Sequence, residues 1–424
     1  MLLRILLLSA VLTSAAYPIE NWADFRGPDG DGVLDEKVGL PLEWSEEKNV
    51  VWKTEVKGRA WSSPVVWGKQ VWMTNATEDG KTMSVVCLDR ETGKILFDRF
   101  LFENDTPEPL GNNVNGYGSP SPVIEEGRVF IHFGSYGTAC LDTATGKTLW
   151  ERRDLPCQHL RGPGSSPVLF KDLLILTMDG ADVQYLVALD KKSGKNVWKT
   201  DRATKWTDFK ADGSVVADGD RRKAYTTPTF VTVDGKVQMI SPGATACFAY
   251  DPATGEELWF LTYAGYSNAS RVIVEDGMAF INTGFGKPHL LGVRLDGKMS
   301  GDVTESHVEW DVFKRVPKRS SPVVLDRRIY MVNDEGILTC LNVDDGSEIW
   351  SDRLRGHFSA SVLAADGRIY FFSEMGDAYA IAVGDEFELL ATNHFESGFM
   401  ASPAVAGKSF FLRTKTHVYR VEGK

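Results

Sequence analysis

The stretch Cys140-Leu-Asp-Thr-Ala-Thr-Gly-Lys-Thr-Leu-Trp150 is the unit that this chain repeats. A small residue, an apolar residue and Asp precede a Thr-Gly turn, and a large apolar residue follows ten positions after the start. Glycine supplies the φ > 0 conformation that a tight hairpin needs, and Asp can bond its own backbone before the turn. We therefore interpret each copy as a hairpin between two antiparallel strands. This eleven-residue frame recurs at 87–97, 140–150, 188–198, 249–259, 340–350 and, in degenerate form, 380–390.

Each frame has a partner upstream, built on Ser-Pro-Val, a short turn and a β-rich run. Complete or nearly complete copies begin at Ser63, Ser121, Ser166, Thr227, Ser321 and Ser402. Two degenerate copies, at Ser270 and Ala360, keep the turn and lose the proline. Two hairpins make four strands per repeat, with a period between about 39 and 61 residues. Repeats of this size and content are typical of a β-propeller.

The eight copies predict an all-β fold, an eight-bladed β-propeller of four-stranded antiparallel blades. The last copy supplies only two strands, near 401–413 and 416–422, whereas the chain begins with an unpaired strand at 49–56. We expect this N-terminal strand to pair with the C-terminal blade and close the ring, which removes free sheet edges. The large anchors are predicted to dock on neighbouring blades; they are Trp52, Trp150, Trp198, Trp259, Trp310 and Trp350.

Residues 1–16 have the features of a secretory signal peptide. Arg4 precedes an apolar run that is too short to span a bilayer, and small residues stand before Tyr17. No cysteine follows until Cys87, so we expect no lipoprotein anchor and no membrane span. The protein is predicted to be a periplasmic or extracellular monomer. Its predicted parts are a signal peptide at 1–16, an N-terminal extension at 17–48 and the propeller at 49–424.

Charge and cysteine usage exclude some functions. The net charge is −11 and the isoelectric point is near 5.3, which argues against nucleic-acid binding, since that affinity comes largely from neutralised phosphates. Three of the five cysteines, Cys87, Cys140 and Cys340, occupy the frame position that is Ala elsewhere. We therefore predict small buried residues and not disulfides.

The N-terminal extension contains a cluster of acidic residues. Asp29, Asp31 and Asp35 suggest a calcium loop, but Val33 and Leu34 stand where an EF-hand needs a polar ligand and a glycine. We predict no metal site there, and interpret the segment as a turn-rich cover over blade edges.

With the repeats laid out, the Asp-x-x-Thr-Gly-x-x-x-Trp frame resembles the tryptophan-docking motif of the pyrroloquinoline-quinone (PQQ)-type propellers. That superfamily includes quinoprotein alcohol dehydrogenases and the propeller scaffold of the bacterial outer-membrane β-barrel assembly machinery. The resemblance covers residues 44–424. The leader Phe25-Arg-Gly-Pro-Asp-Gly-Asp-Gly-Val33 is also similar to the start of exported PQQ-like proteins of planctomycetes and verrucomicrobia. The resemblance bears on fold more than on activity, because the two separate freely.

The resemblance implies specific features for an enzymatic member. Those enzymes bind PQQ with a calcium ion and typically carry a disulfide between adjacent cysteines. This chain has no adjacent cysteine pair and no Cys-x-x-Cys-His motif for haem, and the calcium ligands of the enzymes match no motif here. It also lacks His-Glu-x-x-His and Gly-x-Ser-x-Gly. Catalytic residues therefore stay unassigned, and no cofactor is expected.

Long connections predict where a site lies. The spacing from anchor to the next Ser-Pro-like proline is 12 residues at its shortest and grows to 17, 25 and 30 before Pro167, Pro122 and Pro228. Insertions on a rigid scaffold often carry function. Residues just ahead of the inner strands should line the axial mouth, the channel end where those strands begin. The candidates are Arg59, Trp61, Tyr117, His159, Arg161, Tyr225, Lys318, Arg319, Arg355 and His357.

Two interpretations of this mouth stay open. If Arg59, Arg161, Arg319 and Arg355 converge, guanidinium forks and ring stacking suit an anionic glycan or a small planar ligand with carboxylate or sulfate groups. Alternatively, the aromatic residues plug the channel and the basic residues form a solvated rim. The predicted function is an exported, non-enzymatic scaffold that binds an envelope protein or such a ligand. The alternative is a PQQ- and calcium-dependent oxidoreductase.

Overall fold

The computed structural model describes residues 20–34 and 36–423, which form eight sheets arranged in a ring. Each sheet contains an antiparallel meander of four strands, and two sheets gain a short parallel fifth strand. The first strands of several neighbouring sheets contact one another around the axis. This confirms the predicted eight-bladed propeller. The predicted signal peptide, residues 1–16, lies outside the described residues. Among those described, no helix is long and apolar enough to cross a membrane.

Blades one to four follow one another along the chain. The middle strands of each blade are buried on both faces, because neighbouring blades cover them, and so they read as continuous apolar runs. The strands, in order from the axis outward, are Val65–Trp67, Gln70–Ala76, Thr82–Asp89 and Ile95–Glu103; Val123–Glu125, Arg128–His132, Thr138–Asp142 and Thr148–Arg152; Val168–Phe170, Leu173–Asp179, Gln184–Asp190 and Asn196–Asp201; Thr229–Val233, Lys236–Pro242, Ala246–Tyr250 and Glu257–Thr262.

Blades five to eight complete the ring. Their strands are Ile273–Glu275, Met278–Asn282, Leu290–Arg294 and Val308–Val312; Val323–Leu325, Arg328–Val332, Ile337–Asn342 and Glu348–Arg353; Leu363–Ala365, Arg368–Phe372, Asp377–Ala382 and Leu389–His394; Ala404–Ala406, Ser409–Arg413, His417–Glu422 and Val50–Glu55. Four short elements lie outside this pattern: strands Val33–Leu34 and Gly301–Asp302, helix Thr304–His307 and the 3-10 segment Val216–Arg222.

The N-terminal strand closes the ring as predicted. Val50–Glu55 pairs antiparallel with His417–Glu422 and so becomes the outer strand of blade eight. The buried guanidinium of Arg413 fastens the same blade to blade one, where it donates to the carbonyl oxygens of Ser62 (3.2 Å) and Thr74 (2.9 Å). The strand at 50–55 and the last strands of the chain are therefore held in one sheet.

The hydrophobic core lies between the blades and not along the axis. Trp72 and Cys87 of blade one pack toward Ile124 of blade two, whereas the alternate residues Val71 and Met73 belong to the cluster shared with blade eight. This alternation follows from the period of two in a strand. All five cysteine thiols are buried and free, and the frame predicted this burial for Cys87, Cys140 and Cys340.

Each frame folds as the turn chemistry predicts. In blade two, Asp142 Oδ1 accepts hydrogen bonds from the backbone N–H (2.8 Å) and hydroxyl (2.6 Å) of Thr145, and Gly146 takes a φ of +67°. Trp150 lies opposite Cys140, next to a register shift in the hairpin. A small residue opposite the indole leaves room for it, and the other anchors face Ala188, Ala249, Gly292 and Cys340; the exception is Trp52, which faces Arg420.

The anchors mostly contact the next blade. Five of the six predicted tryptophans donate their indole N–H to a carbonyl oxygen of that blade: Trp52 to Arg90 (2.9 Å), Trp150 to Lys191 (3.0 Å), Trp198 to Pro252 (3.2 Å), Trp310 to Val343 (3.1 Å) and Trp350 to Gly384 (3.1 Å). Trp259 instead donates to Gln238 Oε1 (2.7 Å) in its own blade. Blade five has lost the glycine turn that would receive Trp259, because residues 295–307 form a longer connection there.

The N-terminal extension runs across the centre of the ring. Trp22 exchanges backbone hydrogen bonds with Val66 of blade one, Arg26 donates to the carbonyl oxygen of Pro322 in blade six (2.7 Å), and Val33 pairs with Ala364 of blade seven. Arg26 is only 2% exposed. The segment lies along the inner edges of the blades, where the sequence predicted a cover, and its path across the ring closes one end of the central channel. No cluster of three metal-ligating side chains occurs among residues 20–34 and 36–423.

Candidate functional site

A cavity of about 490 Å³ occupies the axis of the ring. Phe25 of the N-terminal segment bounds it at the plugged end. The long connection between blades one and two bounds it at the other end through Asn112 and Val114, which are exposed. The central channel is thus reduced to an axial cavity that is closed at one end and bordered by long connections at the other.

Hydroxyl groups from the Ser-Pro motifs line this axial cavity. The backbone N–H of each motif serine donates to the hydroxyl oxygen of the next blade: Ser63 to Ser121 (2.9 Å), Ser121 to Ser166 (2.9 Å), Ser166 to Thr227 (3.0 Å), Ser321 to Ser361 (3.2 Å), Ser361 to Ser402 (2.9 Å) and Ser402 to Ser63 (3.0 Å). A hydroxyl that accepts one N–H still has a proton to donate. The ring therefore joins the blades and presents O–H donors to the cavity.

Blade five interrupts this ring. There the backbone N–H of Arg271, and not that of Ser270, donates to the Ser321 hydroxyl (2.9 Å). Ser270 Oγ is buried without a hydrogen-bond partner among the described residues. Ile273–Glu275 corresponds to Val323–Leu325 of blade six, so Arg271 stands at the position of Ser321, one residue later than the sequence pattern suggested. The ring is interrupted because Arg271 offers no hydroxyl group there.

One group of charged residues in the cavity is paired internally. Lys223, which is fully buried, places its ammonium 2.6 Å from an oxygen of Asp220, and Arg161 Nε lies 3.3 Å from the same oxygen. Burial opposes the charge of Asp220, but the hydrogen bonds and charges of Lys223 and Arg161 hold its pKa below the usual value. Burial also lowers the pKa of Lys223, against the effect of Asp220.

Arg319, the other arginine that lines the cavity, is also neutralised. Its Nε lies 3.1 Å from Asp334 Oδ2, and its Nη1 lies 3.1 Å from Glu374 Oε1 and 2.6 Å from the Ser359 hydroxyl. Every cation that lines the axial cavity therefore has a carboxylate partner. The cavity is polar and close to electrically balanced, which differs from the basic mouth that the sequence predicts.

Aromatic side chains form the remaining walls. Trp61 and Tyr225, both predicted, line the cavity together with Tyr266 and Phe285. The Trp61 indole N–H is buried without a hydrogen-bond partner among the described residues. Flat apolar surfaces beside hydroxyl donors suit a ligand that has both apolar faces and polar edges.

Arg59 and Tyr117, two further predicted residues, lie behind the cavity wall. The Arg59 guanidinium lies 5.6 Å from the ring of Trp61 and 3.3 Å from Asn113 Oδ1, so it supports Trp61 and the long connection. Tyr117 is buried, and its hydroxyl donates to the carbonyl oxygen of Glu108 (2.7 Å).

His159 lies in the protein interior. Its Nε2 accepts the backbone N–H of Ser135 (3.0 Å), and its Nδ1 is 3.7 Å from the Cys157 thiol. Burial lowers the pKa of His159 to about 4 and raises the pKa of Cys157 well above its usual value. Both groups are therefore neutral at pH 7, and this pair does not have the charge state of an activated thiol.

The last three predicted residues belong to the surface around the cavity. Lys318 is 3.7 Å from Glu335, Arg355 is exposed, and the exposed His357 has its Nδ1 3.2 Å from the carbonyl oxygen of Asp334. Of the four arginines that were expected to converge, only Arg161 and Arg319 line the cavity.

Sequence reasoning missed several residues of the site. Phe25 lies far from the other lining residues in the chain, and Phe285 belongs to a hairpin of blade five. Tyr266 is one of the aromatic residues that recur ahead of the inner strands, and it does line the cavity. The recurrence of Ser at one position of the Ser-Pro motifs is a sequence signal for the ring of hydroxyl groups. In the sequence analysis the same recurrence indicated only the fold.

The residues of the cavity do not fit PQQ with calcium. Asp220 is the one carboxylate that lines the described cavity, and Lys223 and Arg161 already bind it. A calcium ion takes six to eight oxygen ligands with several carboxylates among them. The cations that would hold the carboxylates of the quinone are likewise paired with protein carboxylates.

Fold and cavity together define an eight-bladed propeller with a plugged axial channel. Residues 46–205 and 182–424 match the family described as "Outer membrane protein assembly factor BamB" (PQQ_2), so nearly all of the propeller is covered, and the chain belongs to this family. The resemblance to PQQ-type propellers is thereby confirmed.

Individual relatives are distant. The chain is 23% identical over 180 residues to the outer membrane protein assembly factor BamB of Yersinia pestis. The matched region covers 41% of this chain and 40% of that protein. It is 28% identical over 157 residues to a 1-butanol dehydrogenase (quinone) of Thauera butanivorans, covering 34% of this chain and 24% of that protein. The crystal structure of BamB from Moraxella catarrhalis superposes with a TM-score of 0.60 at 13% identity, covering 88% of this chain and 97% of that chain. The chain thus spans less than half the length of these curated relatives, and the structural likeness shows the fold alone.

Proposed function

We propose that this protein is an exported binding scaffold that holds a small hydroxylated ligand in its axial cavity. The observation that carries the proposal is the closure of the channel at one end by the segment around Phe25 and Arg26. A through-channel would let a ligand pass, whereas a closed cavity can retain one. The ring of inter-blade hydrogen bonds keeps the walls in place, so little ordering cost accompanies binding.

The walls favour a small polar ligand. A cavity of about 490 Å³ lies within the range of known ligand sites, which are about 300–1,000 Å³. Hydroxyl donors, paired Arg–Asp groups that both donate and accept, and the faces of Trp61 and Tyr225 match a ligand with hydroxyl groups on apolar rings. Membership of the assembly-factor family supports a second candidate binding partner. This partner is an envelope protein, and it would contact the connections between blades that surround the cavity.

Thermal-shift and calorimetric titrations of the mature protein test the cavity. The probes are neutral and acidic oligosaccharides, and PQQ with calcium. We expect an oligosaccharide to raise the Tm, and Trp61→Ala to weaken its binding by about tenfold or more. Trp67→Ala is the control, because Trp67 ends the strand Val65–Trp67 that follows Trp61 and is not among the residues that line the cavity. No oligosaccharide binding, or equal binding by both variants, refutes the proposal.

The oxidoreductase alternative gives a separate result in the same experiment. Saturable absorbance changes with PQQ and calcium, together with dye-linked oxidation of alcohols or sugars, would replace the scaffold proposal. Pull-downs from envelope extracts with the wild type and with the Trp61 variant address the protein partner. A partner that both retain contacts the connections and not the cavity.

A further inference from the structure

A second cavity, of about 350 Å³, adjoins the axial one. Tyr266 and Phe285 line both cavities, so the two are neighbours across a shared aromatic wall. We call this second cavity the side groove. It lies between the connection from blade three to blade four and a hairpin of blade five. Its lining includes Lys205, Trp206, Arg221, Tyr266, Phe285 and Lys287.

The side groove has the unpaired positive charge that the axial cavity lacks. Within the part of the chain that the structure describes, Lys205, Arg221 and Lys287 are exposed and form no ion pair. The one carboxylate among the lining residues, Asp208, is bound by Arg222, whose Nη2 and Nε lie 2.6 Å and 3.0 Å from its oxygens. The Lys287 ammonium lies 4.6 Å from the ring centroid of Phe313, a contact that leaves its charge uncompensated. Three cations without an ion pair, on a protein of net charge −11, make this a local site for an anion.

The groove is organised before any ligand arrives. Trp206 donates its indole N–H to Gln184 Oε1 of blade three (3.1 Å). The Arg222 guanidinium lies 5.0 Å from the ring centroid of Trp206 and 5.0 Å from that of Phe209. These contacts hold the connection against blade three, so binding does not have to order it.

Resting on the function proposed above, we propose that the ligand is the end of a short acidic oligosaccharide. Its acidic group, a uronate carboxylate or a sugar sulfate, binds Lys205, Arg221 and Lys287 in the side groove. The neighbouring sugar lies in the axial cavity, where paired charges and hydroxyl donors accept an uncharged, hydroxylated ring. The glycosidic bond between them passes over the outer edge of Tyr266 and Phe285, which line both cavities.

Two features favour binding of the end of a short oligosaccharide over binding of a long polysaccharide. The segment around Phe25 closes the axial cavity, so a chain cannot pass through it. The net charge of −11 repels the remainder of a long polyanion once its end has bound.

The test is an array of oligosaccharides that bear uronate, sulfate or no charge, followed by calorimetry of the mature protein with the bound members. Tri-galacturonate and its methyl ester form one matched pair of calorimetric probes, and a sulfated disaccharide and its desulfated form another. The variant carries Lys205→Ala, Arg221→Ala and Lys287→Ala. The control removes three exposed lysines from frame turns, Lys94, Lys147 and Lys195. Neither triple variant removes an ion pair, so both should fold.

We expect binding confined to acidic members, at least about tenfold weaker for the groove variant and unchanged for the control. Loss of affinity on esterification assigns the carboxylate, and loss on desulfation assigns the sulfate. Equal binding of neutral sugars, or an unaffected groove variant, overturns the inference but leaves the scaffold function if Trp61→Ala still weakens binding by about tenfold or more. No binding of any oligosaccharide overturns both.

Discussion

The contact between Trp150 and the turn of the next blade can be tested at Gly194. This glycine has a φ of +69°, and a Cβ added there would lie 2.7 Å from Cε3 of the Trp150 ring. Gly127 is a matched control, because its φ is +77° and its Cβ would meet no heavy atom within 4 Å. Alanine at both positions suffers the same backbone strain, but only Gly194→Ala collides with an indole.

The expected magnitudes separate the two variants. A left-handed backbone costs a residue with a Cβ about 1–2 kcal/mol, which applies to both positions. Overpacking adds about 1–3 kcal/mol at Gly194, because the ring must move away from the turn and strain its 3.0 Å hydrogen bond to Lys191. We therefore expect Gly194→Ala to lower the free energy of unfolding by about 2–5 kcal/mol, and Gly127→Ala by about 1–2 kcal/mol.

Urea unfolding followed by circular dichroism measures both variants, and a double-mutant cycle identifies the cause. In a Trp150→Ala background the ring is gone, so Gly194→Ala should cost only about 1–2 kcal/mol, the same as Gly127→Ala. A cost at Gly194 that equals the control in the wild-type background would refute the docking of the indole on this turn. So would a cost that persists without Trp150.

Three further perturbations have expected outcomes. Arg413→Ala should lower the free energy of unfolding by about 2–5 kcal/mol in urea titrations, because buried acceptors in blade one lose their donor; the exposed Arg327→Ala should cost less than about 1 kcal/mol. His159, whose pKa burial lowers to about 4, stays neutral in the folded state while the unfolded chain takes up a proton near pH 6.5. Stability should therefore fall as pH drops from 6.5 toward 4, by about 3 kcal/mol from this group, and the Tm of His159→Gln should fall less steeply; parallel profiles would contradict this. Deleting 50–55 should expose the edge of His417–Glu422 and produce aggregates in size-exclusion chromatography, whereas a monomeric product would show that closure is dispensable.

The structure of a blade and its repetition could be predicted, because the sequence signals for the hairpin turns are local. Asp142, Gly146 and Trp150 lie within one hairpin, and their chemistry determines the turn whatever surrounds it. Eight copies in register then determine the blade number, and the lone strand at 50–55 had only one unpaired edge to join. The position of the axial mouth followed from the lengths of the connections.

The charge of the site could not be predicted, because ion pairs are tertiary contacts. Arg319 lies 15 residues before Asp334 and 55 before Glu374, and nothing in the sequence pairs them. A count of basic residues near the axis therefore indicated a positive mouth where the folded protein has balanced pairs.

By itself, the sequence determined the blades and their number, since both depend on turns and on strand pairing between neighbours in the chain. It also determined the closure of the ring, because the lone strand at 50–55 completes the last blade. Only the tertiary structure decided that Phe25 plugs the channel, that His159 is buried and uncharged, and that free positive charge collects at Lys205, Arg221 and Lys287. The physical reason is that burial and electrostatic pairing depend on distances in space, which residues far apart in the chain set together.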